Sequence, residues 1–241
     1  MSSEAEDSVK NAPSSFEMIE TDSGERETVL LIRTAERRDA PAVARILVSA
    51  FPALYNSTFG NLGTDRLIAL LTHLYLAGNL SLTTTQVAER EGEVVGLAIL
   101  HFGESIGRGS AWSYGRLLIR KLGLFRSVRA FFGGLGANSM LDRRIPRAPD
   151  LVYVEALAVA ESERSKGIGA RLLQAAMDQT REQGRSRLAL HVLQSNTGAR
   201  RLYQRMGFRP WEHTPARRFF GSLFARRVPT WATLLLVRPV A

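Results

Sequence analysis

Apolar and polar positions along this chain follow two periods, one close to two residues and one close to 3.6. Val29-Leu30-Leu31-Ile32-Arg33 is a short apolar run that predicts the first strand. Asp39 before Ala40-Pro41 predicts a helix N-cap with proline at an early helical position, and Val43, Ile46 and Leu47 give that helix one apolar stripe. Leu67, Leu70, Leu71 and Leu74 predict a second helix over Thr64–Ala77, stopped by Gly78-Asn79. Two strand-like runs, Leu82–Arg90 and Val94–Phe102, flank Glu91-Gly92-Glu93 and predict an antiparallel hairpin. Residues 103–149 then interrupt the pattern: Tyr114–Phe132 reads as one or two basic amphipathic helices, and Arg143–Pro149 as a loop. Regularity returns with a strand at Leu151–Val159, a helix over Ile168–Gln183 ended by Gly184, a strand at Leu188–Leu193 and a helix at Thr197–Met206. A strand starts at Phe208–Trp211 and another closes the chain at Thr230–Val237. The order predicts one mixed α/β domain over residues 29–241, interrupted at 103–149.

Residues 1–28 carry eight acidic and two basic side chains, have no sustained period, and read as a disordered acidic tail. The whole chain is +9, so the remainder is strongly basic, which suits a phosphorylated cofactor, nucleic acid or an anionic membrane; a solvated Arg-rich surface is the plain alternative. There is no cysteine, which removes disulfides, thiolate metal sites and a Cys nucleophile. The four histidines are scattered, no metalloprotease, phosphate-loop NTPase or serine-hydrolase motif occurs, and no metal is expected. No RNA-binding aromatic motif or helix-turn-helix supports nucleic acid as a partner. No apolar run approaches the ~18 residues of a membrane span. The N-terminus lacks a basic-then-apolar signal pattern, and cytoplasmic residence is expected.

The most informative stretch is Leu157-Ala158-Val159 followed by Arg164-Ser165-Lys166-Gly167-Ile168-Gly169-Ala170 and the helix Arg171-Leu172-Leu173. It is a strand ending in a glycine-bearing turn that opens a helix. Glycines allow tight backbone geometry and close approach of a ligand, while the helix start offers unpaired N–H groups and its positive dipole end. Such a place binds phosphate, and Arg164 and Lys166 add charge. By itself the turn also reads as a plain tight turn, because it lacks the three-glycine dinucleotide fingerprint.

Arg-x-x-Gly-x-Gly after the Leu-Ala-Val strand end resembles the acetyl-CoA pyrophosphate loop of the GNAT acyltransferases. Leu190-His191-Val192-Leu193-Gln194-Ser195-Asn196 with Ala199, Tyr203 and Gly207-Phe208 is similar to the downstream block of that family, and Val87–Gly96 to its second and third strands. The resemblance covers about Val29–Val237 outside the 103–149 insertion. It implies the GNAT fold: a central, mostly antiparallel sheet splayed between strands 4 and 5, helices on both faces, and an insertion between strands 3 and 4. It also implies transfer of an acetyl or related acyl group from acyl-CoA directly to a primary amine. A non-catalytic acyl-CoA sensor or scaffold is the alternative.

By the same resemblance, pantetheine lies in the splay against the backbone of Leu157, Ala158 and Val159. The pyrophosphate sits on Arg164, Ser165, Lys166, Gly167, Ile168, Gly169 and Ala170. Asn196 contacts the pantetheine arm or, on its own spacing, caps the next helix. Tyr203 stands where a phenol protonates or orients the departing thiolate. The amine must shed a proton, and the candidate bases are His191 with Tyr153, or Glu155. One departure stands out: Glu161 replaces the usual proline after the Leu-Ala-Val strand. Within the insertion, Trp112, Tyr114, Phe125, Phe131 and Phe132 interleave with Arg116, Arg120, Lys121, Arg126 and Arg129. Three readings stay open for 112–132: an acceptor-side wall favouring carboxylate or phosphate, a membrane-surface helix, or an extra helical layer. The Arg217–Arg227 segment is equally open.

Overall fold

The computed structural model describes residues 29–60, 62–78, 80–102, 111–123, 127, 148–211 and 233–240. Its strands are β1 (Leu30–Thr34), β2 (Thr85–Arg90), β3 (Glu93–His101), β4 (Leu151–Val159), β5 (Arg187–Leu193), β6 (Arg209–Pro210) and β7 (Thr233–Pro239). They form one sheet in the order β1-β2-β3-β4-β5-β7-β6. Every neighbouring pair is antiparallel except β4 and β5, which run parallel. The helices are α1 (Ala40–Ala50), α2 (Pro52–Phe59), α3 (Thr64–Leu76), α4 (Ala111–Leu122), α5 (Ile168–Glu182) and α6 (Thr197–Arg205). The expected tail at 1–28, most of the 103–149 insertion including Phe125, Arg126, Arg129, Phe131 and Phe132, and the Arg217–Arg227 segment lie outside the described residues.

Two differences from the sequence reading have simple causes. Helix α2 has no apolar stripe to announce it; Pro52 in its first turn starts it, and Gly60, at φ 72°, ends it. Asp39 precedes α1 as expected but does not cap it. Its carboxylate turns back to accept from the Glu36 N–H at 2.7 Å and is forked by the Arg33 guanidinium at 2.6 and 2.9 Å. Arg33 also reaches Glu89, so the ion cluster ties β1 to β2 and the start of α1. The Arg33 hydrogen bond holds the Asp39 carboxyl below the usual range, against burial acting the other way.

Helix α5 covers one sheet face with Leu172, Leu173, Ala176 and Met177, and α1 covers part of the other with Val43, Ile46 and Leu47. Helix α3 packs on α1, and Leu118 of α4 is buried against α3. Close seating of α5 depends on Gly96 of β3. A Cβ there would stand 3.1 Å from Leu172 Cδ1 and 3.2 Å from the Ala158 carbonyl oxygen. Gly96→Val is therefore expected to destabilise the fold by about 1–3 kcal/mol through overpacking, read as a lower urea midpoint.

One irregularity organises β4. Ile99 pairs with Ala156 while Leu100 pairs with Val154, so Glu155 is an extra residue in the strand, a β-bulge. Before it, Val152 and Val154 pack on Leu173 and Met177 of α5. After it, Leu157 and Val159 pack on Ile168 and Leu172 of the same helix, whereas Ala156 and Ala158 face α1. Strict alternation would put Val154 and Leu157 on opposite faces; the bulge restores them to one.

Candidate active site

The parallel ladder between β4 and β5 lasts only from Leu151↔Arg187 to Val154↔Leu190. Beyond it β4 stays with β3 as far as Val159↔Gly96, and β5 stays with β7 through His191↔Leu235 to Leu193↔Thr233. The sheet therefore parts into a wedge. The first residue past the branch is Glu155 on one arm and His191 on the other.

Backbone groups line the wedge. The Ala160 N–H donates to the Val95 carbonyl at 2.8 Å. Antiparallel alternation then turns the groups of Ala158 toward β3 and those of Leu157 and Val159 into the opening. An extended ligand chain laid there can pair with Leu157 and Val159 as another strand would.

At the wide end of the wedge a 3-10 turn, Glu161–Glu163, leads into the glycine loop. This turn forms without the proline, held by the Glu163 N–H on Ala160 O at 2.9 Å and the Arg164 N–H on Glu161 O at 3.3 Å. Gly167, with φ 79°, precedes α5 in the left-handed region, and Ser165 is there too at φ 65°. Among the described residues, no backbone carbonyl takes the N–H groups of Ser165, Lys166, Gly167, Ile168 or Gly169. They form a consecutive run of donors at a helix start, the arrangement that binds oxyanions. The N–H of Ala170, expected to join them, already donates to Gly167 O at 3.0 Å.

Loop residues also make contacts that the sequence reading did not include. Gly169 makes room for a neighbouring side chain, since a Cβ on it would lie 3.2 Å from Leu202 Cδ2 of α6. Lys166 shares its charge with Glu163, 2.9 Å away, which also pairs with Arg90. The Lys166 hydrogen bond keeps the Glu163 carboxyl below its ordinary range. Arg164 reaches back to the Val159 carbonyl at 3.3 Å, closing the turn.

At the apex, Tyr153 Oη and His191 Nδ1 are 3.0 Å apart, with ring centroids at 5.7 Å in an edge-on arrangement. Tyr153 is buried, and burial first, then the charge of Glu155, raises its phenol well above the ordinary value. It stays neutral and keeps its proton for hydrogen bonding. Tyr203 is also buried, packed against Phe208 with centroids 5.8 Å apart, and burial pushes its phenol up to about 12. It also acts electrostatically on Tyr153, from helix α6. Asn196 caps α6, its Oδ1 accepting from the Ala199 N–H at 3.0 Å, and the side chain remains exposed with Nδ2 as a donor.

Glu155 is the residue whose surroundings the sequence did not reveal. Its carboxylate pairs with His101 Nε2 across the β3–β4 ladder. His101, one of four scattered histidines in the sequence, reaches this place because its backbone is in register with Tyr153. The signal for it was the strand pairing, which periodicity alone does not supply. Among the described residues no group of three or more His, Asp or Glu side chains could hold a metal ion, and no helix is long and apolar enough to cross a membrane.

Comparison with known proteins agrees with this fold. Residues 43–208 match the model of the Acetyltransferase (GNAT) family. Among solved structures, one described as an acetyltransferase superposes with TM-score 0.54 at 23% identity, covering 88% of this chain and 100% of its own. An N-acetyltransferase from Staphylococcus aureus Mu50 superposes with TM-score 0.57 at 17% identity, covering 86% and 100% respectively. None of the curated proteins matches the chain by sequence.

Proposed function

The chain belongs to the GNAT acetyltransferase family and moves an acyl group from acyl-CoA, and from that premise we propose how its own residues do so. The carrying observation is the wedge: the β4–β5 ladder ends one residue before His191, which Tyr153 meets at 3.0 Å. Acetyl-CoA lies with its pantetheine along the open backbone of Leu157 and Val159. Its diphosphate rests on the N–H groups of Ser165–Gly169, with Arg164 and Lys166 at the rim, and the Asn196 amide meets the pantetheine arm. The thioester then reaches the apex of the wedge, between Tyr153 and Tyr203.

A neutral primary amine attacks the thioester carbon directly, with no acyl-enzyme. The new C–N bond forms, the C–S bond breaks, and the amine gives its proton to the Tyr153 hydroxyl as that hydroxyl passes its own to His191 Nδ1. The raised Tyr153 phenol supports this arrangement, because the tyrosine begins and ends neutral while the imidazole takes the charge. The departing thiolate is met by the Tyr203 hydroxyl. At about 12 its phenol is a weak acid, so it stabilises the thiolate mainly as a hydrogen-bond donor. Tyr203→Phe is expected to lower kcat only about 10-fold and to leave CoA affinity unchanged, as measured by thiol release and calorimetry. We propose the cytoplasm as the compartment of the reaction.

The test is calorimetric titration of the full chain with CoA and acetyl-CoA, followed by thiol release with a panel of amines and peptides. Binding with turnover of an amine is the expected result. No affinity for CoA thioesters sinks the reading, and binding without turnover on a broad panel favours the sensor.

A further inference from the structure

The Glu155–His101 pair has no part in the proton path just described, yet it stands at the same apex on the opposite side of β4. Glu155 is the bulge residue, so the strand holds it by position rather than by side-chain packing; 46% of its side chain is exposed, against 18% for His101. Among the described residues His101 is its sole hydrogen-bond or ion-pair partner, and no Arg or Lys neutralises it. Two further phenols bound the place. Tyr75 of α3 packs with Ile99 and Ala156, the ladder pair next to the bulge, and Tyr55 of α2 packs on the same cluster. The charge of Glu155 acts on both Tyr75 and Tyr153. A half-exposed carboxylate with no Arg or Lys beside it among the described residues, bordered by aromatic rings, is chemistry that draws an alkylammonium.

We propose that Glu155 is the docking carboxylate of the acceptor, that His101 is the positioning residue that orients it, and that the acceptor class is a cationic amine without a nearby carboxylate, such as a diamine or a lysine-type side chain. The proposal rests on the acyl-transfer reading above. A lone hydrogen bond from the imidazole ties down one carboxylate oxygen and leaves the other for the ammonium. The amine then enters from the β3 and α3 side, while the CoA arm occupies the β5 side. Arg116 and Arg120, which favour an anionic acceptor on sequence grounds, sit on α4, which packs on α3 through Leu118, and neither pairs with Glu155.

The test uses three probes of similar length that differ in remote charge: 1,4-diaminobutane, butylamine and 4-aminobutanoate. Each is titrated calorimetrically into the full chain saturated with CoA. The diamine is expected to bind at least about 10-fold more tightly than the amino acid, the scale of one charge-assisted contact. Glu155→Gln removes that difference, His101→Leu removes most of it, and His101→Gln, which keeps an N–H donor, retains it. CoA affinity stays the same in all three variants. A preference for 4-aminobutanoate, no diamine binding, or discrimination untouched by Glu155→Gln overturns the docking role. Equal behaviour of the two His101 variants overturns its positioning role. Absence of CoA binding by the wild type would instead strike the acyl-transfer reading.

Discussion

Replacing His191 with Ala is expected to lower kcat by about 10²- to 10⁴-fold with any amine that the wild type acetylates, the range for losing a positioned proton acceptor. His191 lies outside the anion loop, so the affinity for CoA should not change. The expected pattern is thus a fall in single-turnover rate at saturating acetyl-CoA with an unaltered binding isotherm. Tyr153→Phe should show the same pattern, because the phenol carries the proton to the imidazole across the 3.0 Å contact. Combined, the two substitutions should cost little more than the worse of them, since they interrupt one path. A loss below about threefold for His191→Ala would remove the imidazole from the chemistry and turn attention to Glu155.

The second large effect concerns the loop. Gly167→Val is expected to raise the CoA dissociation constant by at least about 100-fold, with a stability loss of only about 1–3 kcal/mol from forcing a β-branched residue into the left-handed region. Gly167 has φ 79°, and a Cβ on it meets no atom within 4 Å. The added Cβ would therefore clash with nothing, and the side chain would stand beside the donors of Ser165–Gly169, where an oxyanion has to approach. Gly78→Val is the matched control: it too has positive φ, 73°, and open surroundings, but it follows α3 far from the loop. It should lose stability and keep its CoA affinity. Equal loss of CoA affinity in both variants would make the Gly167 effect a matter of folding, and the loop would lose its assignment.

Much of the architecture was open to a reader of the sequence because most elements, α2 excepted, advertised themselves locally. The stripe Leu67, Leu70, Leu71, Leu74 became α3, and the Glu91-Gly92 turn closed the β2–β3 hairpin, with Glu91 and Gly92 at positive φ. The meeting of Tyr153 with His191 was also legible, though through family resemblance and not through spacing. What escaped the sequence depends on partners distant along the chain. The turned-back Asp39 carboxylate follows from Arg33, which no N-cap rule considers. The service of Gly169 to Leu202 follows from how α6 lies on α5. The approach of His101 to Glu155 follows from a ladder register set by the bulge.

That bulge makes position 155 unusual in what it can tolerate. Deleting the residue would slide Ala156 through Val159 by one place, exchanging the side chains that meet α5 with those that meet α1 and exposing core on both layers. Substituting it, by contrast, gives up the His101 pair but leaves the core packing in place, because its side chain is not part of either buried layer. The fold needs a residue here, while its core packing does not depend on which one. Related proteins could exchange the group they present to an incoming molecule without renegotiating how they fold.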